Sequence, residues 1–215
     1  MTHHFSQYCG PTPESNWVIP GVLLVGAYPA SEDDDDTFDL ITSILKHGIT
    51  KFVCLQSEVR SFSFIFLSFV ATLIYFVLFF FVLQYQAGVS REVWQAGGAL
   101  RPYFEDVESI VSQKDTIPEL DGCKIVDISK LSFDHCPIID CGVTDDSKVL
   151  ALAQKLTKDI SEGEVIYLHC WGGHGRTGTV VCIMLYLLYG VSNVVVNDRF
   201  EPLLPVQSNL FISCL

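Results

Sequence analysis

The sequence predicts an α/β domain: a mainly parallel central sheet flanked by helices. Three observations carry this. Largely apolar runs at residues 49–55 and 164–169 have the character of strands buried on both faces. Stretches with helical spacing of apolar residues lie between and after them. Glycines and prolines punctuate the joins, as alternating strands and helices require.

In chain order, residues 16–29 (NWVIPGVLLVGAYP) predict two short strands turning at Pro20-Gly21. Residues 33–36 are an acidic run, expected as a solvated loop. Phe38, Ile41 and Leu45 then fall on one helical face, and Gly48 sits where that helix should stop. After the strand at 49–55, the second half of 93–112 is helical and 124–139 is expected to be extended. Thr144 or Asp145 can cap a helix carrying Val149, Leu152, Leu156 and Ile160 on one side. A strand at 164–169 leads into a glycine-rich turn, and an apolar helix over 179–189 ends at Gly190. No internal repeat is present.

The 215 residues suffice for one domain with a real core. A net charge of −12 argues against nucleic acid as a partner, because nothing could neutralise a row of phosphates. The 8 cysteines are irregularly spaced, without C-x-x-C pairs that would suggest zinc and without an apolar leader before them. Free thiols in a reducing, cytoplasmic setting are the expectation.

The chemistry concentrates at HCWGGHGRTG, His169 to Gly178. A strand delivers Cys170 to its C-terminal edge, where open α/β sheets keep their ligand sites. A short loop follows, and a helix is expected to begin near Arg176. Gly172, Gly173, Gly175 and Gly178 allow successive backbone N–H groups, together with those of Trp171 and His174, to turn inward as an anion nest. The helix N-terminus adds its positive end, so the loop favours a thiolate and a phosphate for one electrostatic reason. Arg176 offers a planar fork to two phosphate oxygens, and the Thr177 hydroxyl can hydrogen-bond the sulfur. His169 reads as a brace for the loop, Trp171 as a wall of the pocket, and His174 as either a substrate contact or a solvent-facing residue.

This His-Cys-x2-Gly-x2-Arg-Thr-Gly pattern resembles the signature of the protein tyrosine phosphatase superfamily. The preceding Cys136-Pro-Ile-Ile-Asp140 is similar to a stretch in compact dual-specificity phosphatases, including the kinase-associated kind. The resemblance implies a nucleophile at Cys170, phosphate binding by the loop and Arg176, and a general acid upstream. Asp140 is the candidate acid and Asp134 the alternative, whereas Asp145 and Asp146 suit a helix start. No metal or cofactor is implied. The implied partner is a phosphorylated protein carrying phosphotyrosine, with phosphoserine or phosphothreonine as further substrates. Phosphoinositide-directed relatives tend to place lysines in the loop, where this chain has Trp171 and His174. A silent phosphate-binding module is the rival reading, although intact Cys170, Arg176 and Thr177 count against it. In some relatives a cysteine on the neighbouring strand bonds reversibly to the nucleophile. Cys54 is therefore either such a redox partner or an inert core thiol.

The resembling domain covers 16–193, after a flexible 1–15 and before an atypical tail at 194–215. Two stretches depart from it. Residues 61–83 carry no charge and, at about 1.5 Å per residue, could span a bilayer as a helix. Yet a single crossing would put the strands at 49–55 and 164–169 on opposite sides, although they should share a sheet. Residues 59–84 are therefore expected to be a translated intron, with a nonproductive splice form as one alternative to an active phosphatase. Val59-Arg60 can be encoded as a splice donor, and FVLFFFVLQ as a pyrimidine tract closed by an acceptor. A genuine membrane helix is the alternative. The tail from 194, with two prolines and no sustained helical period, is the second departure.

Overall fold

The computed structural model describes residues 6–56, 90–96, 99–138 and 145–190. Two strands, β1 (Ser15–Ile19) and β2 (Leu23–Gly26), form an antiparallel hairpin whose turn holds Gly21 at φ 72°. Next come α1 (Asp34–Leu45), β3 (Lys51–Gln56), the short α2 (Arg91–Gln95) and α3 (Tyr103–Ser112). The chain closes with β4 (Ser132–Ile138), α4 (Asp146–Ser161), β5 (Ile166–His169) and α5 (Gly175–Tyr189). The sheet order is β1-β2-β5-β3-β4, and every pairing but β1–β2 is parallel. The predicted fold class is the one observed.

Strand periodicity divides the core into two layers. Val53, Leu55, Ile166 and Leu168 face α4 and α5, where they pack with Leu152, Leu156 and Val180. Phe52, Cys54 and Tyr167 face the opposite way, toward α1 and α3, with Ile41, Tyr103 and Val107. Each fully buried aliphatic side chain contributes roughly 1.5–3 kcal/mol, so these two layers dominate the stability. All of β5 is buried, which matches its largely apolar reading and places its C-terminal end at the centre of the sheet edge.

Three expectations need correction. The acidic run is not a loop: Asp33 caps α1 by accepting from the N–H groups of Asp35 and Asp36, and Asp34, Asp35 and Asp36 fill the first turn. The positive end of the helix stabilises them there. Residues 6–14 are not simply a lead-in. A 3-10 turn at Ser6–Tyr8 and a bridge from Cys9 to Asn16 fold them against β1. Finally, the extended stretch expected from 124 pairs only from Ser132 onward. Its partner β3 begins at Lys51, opposite Ser132, so earlier residues have no strand to join.

At the other end of the sheet from the glycine-rich turn, Lys51 is buried with its ammonium 2.8 Å from Asp159 of α4 and 3.6 Å from Asp134 of β4. Lys155 also pairs with Asp134. Burial alone would lower the Lys51 pKa, but the Asp159 hydrogen bond and the Asp134 charge outweigh it and hold the pKa above its ordinary value.

Candidate active site

Parallel pairing on both sides of β5 fixes where the chain must turn. Gly26 of β2 lies beside His169, as does Cys54 of β3, so β2 and β5 end together while β3 runs on to Gln56. Cys170 emerges at that edge, only 3% exposed. The loop then reverses into α5, whose first turn is closed by the Gly178 N–H donating to His174 O at 2.7 Å. Arg176 and Thr177 lie in this turn, both buried. Cysteine and arginine thus sit at the two ends of one tight loop, over a helix N-terminus.

Two contacts hold the loop against β2. The Tyr28 N–H donates to Trp171 O at 2.9 Å. Gly173 takes φ 74° and packs so closely on Gly26 that a Cβ would lie 2.5 Å from that residue's carbonyl carbon and oxygen. Among the described residues, the main-chain N–H groups of Trp171, Gly172, Gly173 and His174 donate no hydrogen bond within the protein. The Thr177 hydroxyl is buried and likewise without a partner among the described residues. Unspent donors of this kind suit an anion.

His169 is fully buried, and burial lowers its pKa to about 4. It is therefore neutral, and its neighbours define the tautomer. Nδ1 lies 3.1 Å from Cys170 O, an acceptor only, so Nδ1 carries the proton and donates. Nε2 then accepts from the Tyr103 hydroxyl at 2.7 Å. Tyr28 packs edge-on against both rings, with centroids 5.2 Å from Tyr103 and 5.4 Å from His169. Both ring nitrogens of His169 are thus hydrogen-bonded. Tyr103 and Tyr28 were not anticipated, and nothing local in the sequence marks them as site residues.

The structure separates the candidate acids. Asp134 is engaged by Lys155 and Lys51, away from the loop. Asp145 caps α4 by accepting from the Ser147 N–H at 2.9 Å, as its position suggested, and hydrogen bonds from the Ser147 hydroxyl and then its N–H lower its pKa. Asp140 lies outside the described residues, as do Thr144, the apolar segment 59–84 and the tail 194–215. What is described ends close by: Arg176 donates from Nη1 to Ile138 O at 3.4 Å, at the end of β4.

Cys54 and Cys170 are both free thiols, but their side chains join different layers of the core. Cys54 is opposite His169 in the ladder and shares its face, while Cys170 follows on the other. Burial raises the Cys54 pKa to about 12, and the neighbouring Cys170 acts in the same direction. Trp171 and His174 are both exposed. Among the described residues no group of His, Cys, Asp and Glu side chains could hold a metal ion.

A buried strand, a glycine-dependent loop and a helix start, with cysteine and arginine at the loop's ends, define the cysteine-phosphatase class of site. Residues 106–212 match the family model described as "Swiss Army Knife protein, DSP-PTPase phosphatase domain". Over those residues the chain is similar to the dual-specificity and protein tyrosine phosphatases. A curated relative, "Putative tyrosine phosphatase 067L" of Invertebrate iridescent virus 3, is 38% identical over 60 residues. That match covers 26% of this chain and 25% of the relative, so the chain spans about a quarter of the viral protein's length. Among solved structures, Tk-PTP in its active form is similar at TM-score 0.48 and 16% identity, covering 94% of this chain and 93% of that one. Kinase associated phosphatase, with its catalytic-site cysteine replaced by serine, gives TM-score 0.45 and 15% identity over 82% of this chain and 74% of its own.

Proposed function

We propose that this protein is a phosphoprotein phosphatase that hydrolyses phosphotyrosine, with phosphoserine and phosphothreonine as further substrates, through a phosphocysteine intermediate. The observation that carries the reading is the loop from Cys170 to Arg176, with its unspent N–H donors and partnerless Thr177 hydroxyl. The Cys170 thiolate attacks phosphorus while the loop N–H groups and Arg176 hold the non-bridging oxygens. The P–O bond to the substrate breaks, and the departing oxygen takes a proton from Asp140. Water, giving a proton back to that carboxylate, then displaces the sulfur and releases inorganic phosphate. Thr177 steadies the thiolate as it leaves. The Arg176 contact with Ile138, two residues before Asp140 in the chain, supports Asp140 as the acid.

The test is hydrolysis of a small aryl phosphate. Cys170→Ser should abolish it, and Asp140→Asn should slow it strongly while phosphate still binds. Turnover that survives Cys170→Ser would refute the mechanism, and near-normal turnover in Asp140→Asn would refute the acid. A wild-type protein that binds phosphate without turnover would instead be the silent module.

The free thiols support a cytoplasmic location. No helix among the described residues is long and apolar enough to cross a membrane. The chain on both sides of 57–89 belongs to one fold: β3 pairs with β5, and Arg91 pairs with Asp34 at 2.6 Å. A single membrane crossing between them would divide that fold, which supports reading 59–84 as translated intron. Sequencing the transcript across this stretch tests it, and abundant message retaining it would refute it.

A further inference from the structure

We propose that the cleft between Trp171 and Trp94 is a specificity subsite for an apolar side chain flanking the phosphorylated residue of a peptide substrate. The proposal rests on the phosphatase reading above and names the kind of sequence that site selects.

The residue next to the nucleophile carries the largest side chain available, and it is left 44% exposed. Exposing an indole beside a polar anion site costs solvation unless something covers it. Its underside is already organised. The Tyr28 ring lies 6.0 Å away at 32°, and the Tyr28 N–H holds the Trp171 carbonyl. Across from it stands Trp94, only 7% exposed. The space of about 60 Å³ between them is walled by Tyr28, Leu100 and Arg101 as well as the two indoles. That volume suits the end of a branched aliphatic chain rather than a second indole.

Arg101 does not make this an anion site. Its guanidinium lies 4.9 Å over the Trp94 ring, and its two ends are held by Asp34 and Asp106 at 2.8 Å each. It contributes a flat, neutralised face. Glu32 lies at the rim, beside the acidic start of α1, so an acidic flank is repelled. The cleft is continuous with the phosphate loop through Trp171. A peptide whose phosphate sits in the loop carries its neighbouring residues about 3.8 Å away per step, within reach of this wall.

The experiment uses phosphotyrosine peptides that differ only in having Leu, Ala or Glu on both sides of the phosphorylated residue. Kd is measured on Cys170→Ser protein, and kcat/KM on the wild type, with a small aryl phosphate as a flank-free reference. The Leu peptide should bind about tenfold more tightly than the Ala peptide, as an apolar pocket of this size discriminates, and the Glu peptide should bind most weakly. Ala99→Leu, which fills the cleft from its own wall, should erase the Leu-over-Ala difference without changing aryl phosphate hydrolysis. Ala30→Leu fills it from the other side, should the first variant not fold. Leu and Ala peptides binding within about twofold of each other, or a preference that survives the filled cleft, would overturn the proposal. Absent aryl phosphate turnover would instead strike the phosphatase reading, and the Kd series would still judge the cleft.

Discussion

Gly173→Ala should damage both the fold and the chemistry, and the two effects can be separated. The residue sits at φ 74°, where a side chain costs about 1–2 kcal/mol. Its Cβ would also stand 2.5 Å from Gly26 C and O and 3.0 Å from Ala27 N. Those are backbone atoms at the end of a paired strand and cannot swing away. Ordinary contact requires about 3.4 Å, so loop and strand must part by nearly 1 Å. Overpacking of this kind costs a further ~1–3 kcal/mol. The same displacement moves Cys170 relative to Arg176, and misplacement by 1 Å costs about a hundredfold in rate. Gly21→Ala is the matched control, because Gly21 has φ 72° but nothing within 4 Å of its Cβ. It should lose only the ~1–2 kcal/mol of backbone strain and retain full activity. Urea unfolding and aryl phosphate turnover on the two variants read both quantities. Equal stability losses, with Gly173→Ala activity within about twofold of wild type, would refute the close approach of loop and strand.

Tyr103→Phe keeps the packing but leaves His169 Nε2 buried without its donor, which should cost roughly 1–3 kcal/mol in urea unfolding. His169 should also make stability fall with acid. Its folded pKa of about 4 lies below the ordinary 6.5, so the unfolded chain binds the proton first as pH drops. Between those two values roughly 3 kcal/mol should be lost, none of it above 6.5, and His169→Asn should flatten that part of the profile. An unchanged slope in the variant would contradict the buried neutral imidazole. Lys51→Met removes a buried cation from Asp159 and Asp134 and should cost about 3–5 kcal/mol. Adding Asp159→Leu should recover part of that loss, and a double variant no more stable than the single one would argue against a buried charge as its cause.

The loop was legible in the sequence because its requirements are local. A buried strand, glycines for a turn with reversed φ and a cationic fork at the helix start all fall within residues 166–176. The supports of that loop come from elsewhere. Tyr103 opens a helix far upstream, and only parallel β3–β5 pairing brings His169 beneath it. Local periodicity finds that helix but gives no hint that its first aromatic holds a catalytic strand.

The acidic run misled because charge alone does not distinguish a solvated loop from a helix start. The distinction lies in whether backbone N–H groups need acceptors, and those of Asp35 and Asp36 do. Cys54 shows the same dependence on context. Its strand and its neighbourhood to the Cys170 strand were read correctly, but which face a side chain takes depends on register. One residue of slip would have turned Cys54 toward the nucleophile's side of the sheet. In the observed register Cys54 pairs with His169, and the two cysteines join different clusters of the core. Cys170 itself is 3% exposed, whereas the indole beside it in the chain is 44% exposed, so the loop buries its sulfur while presenting an aromatic face to solvent.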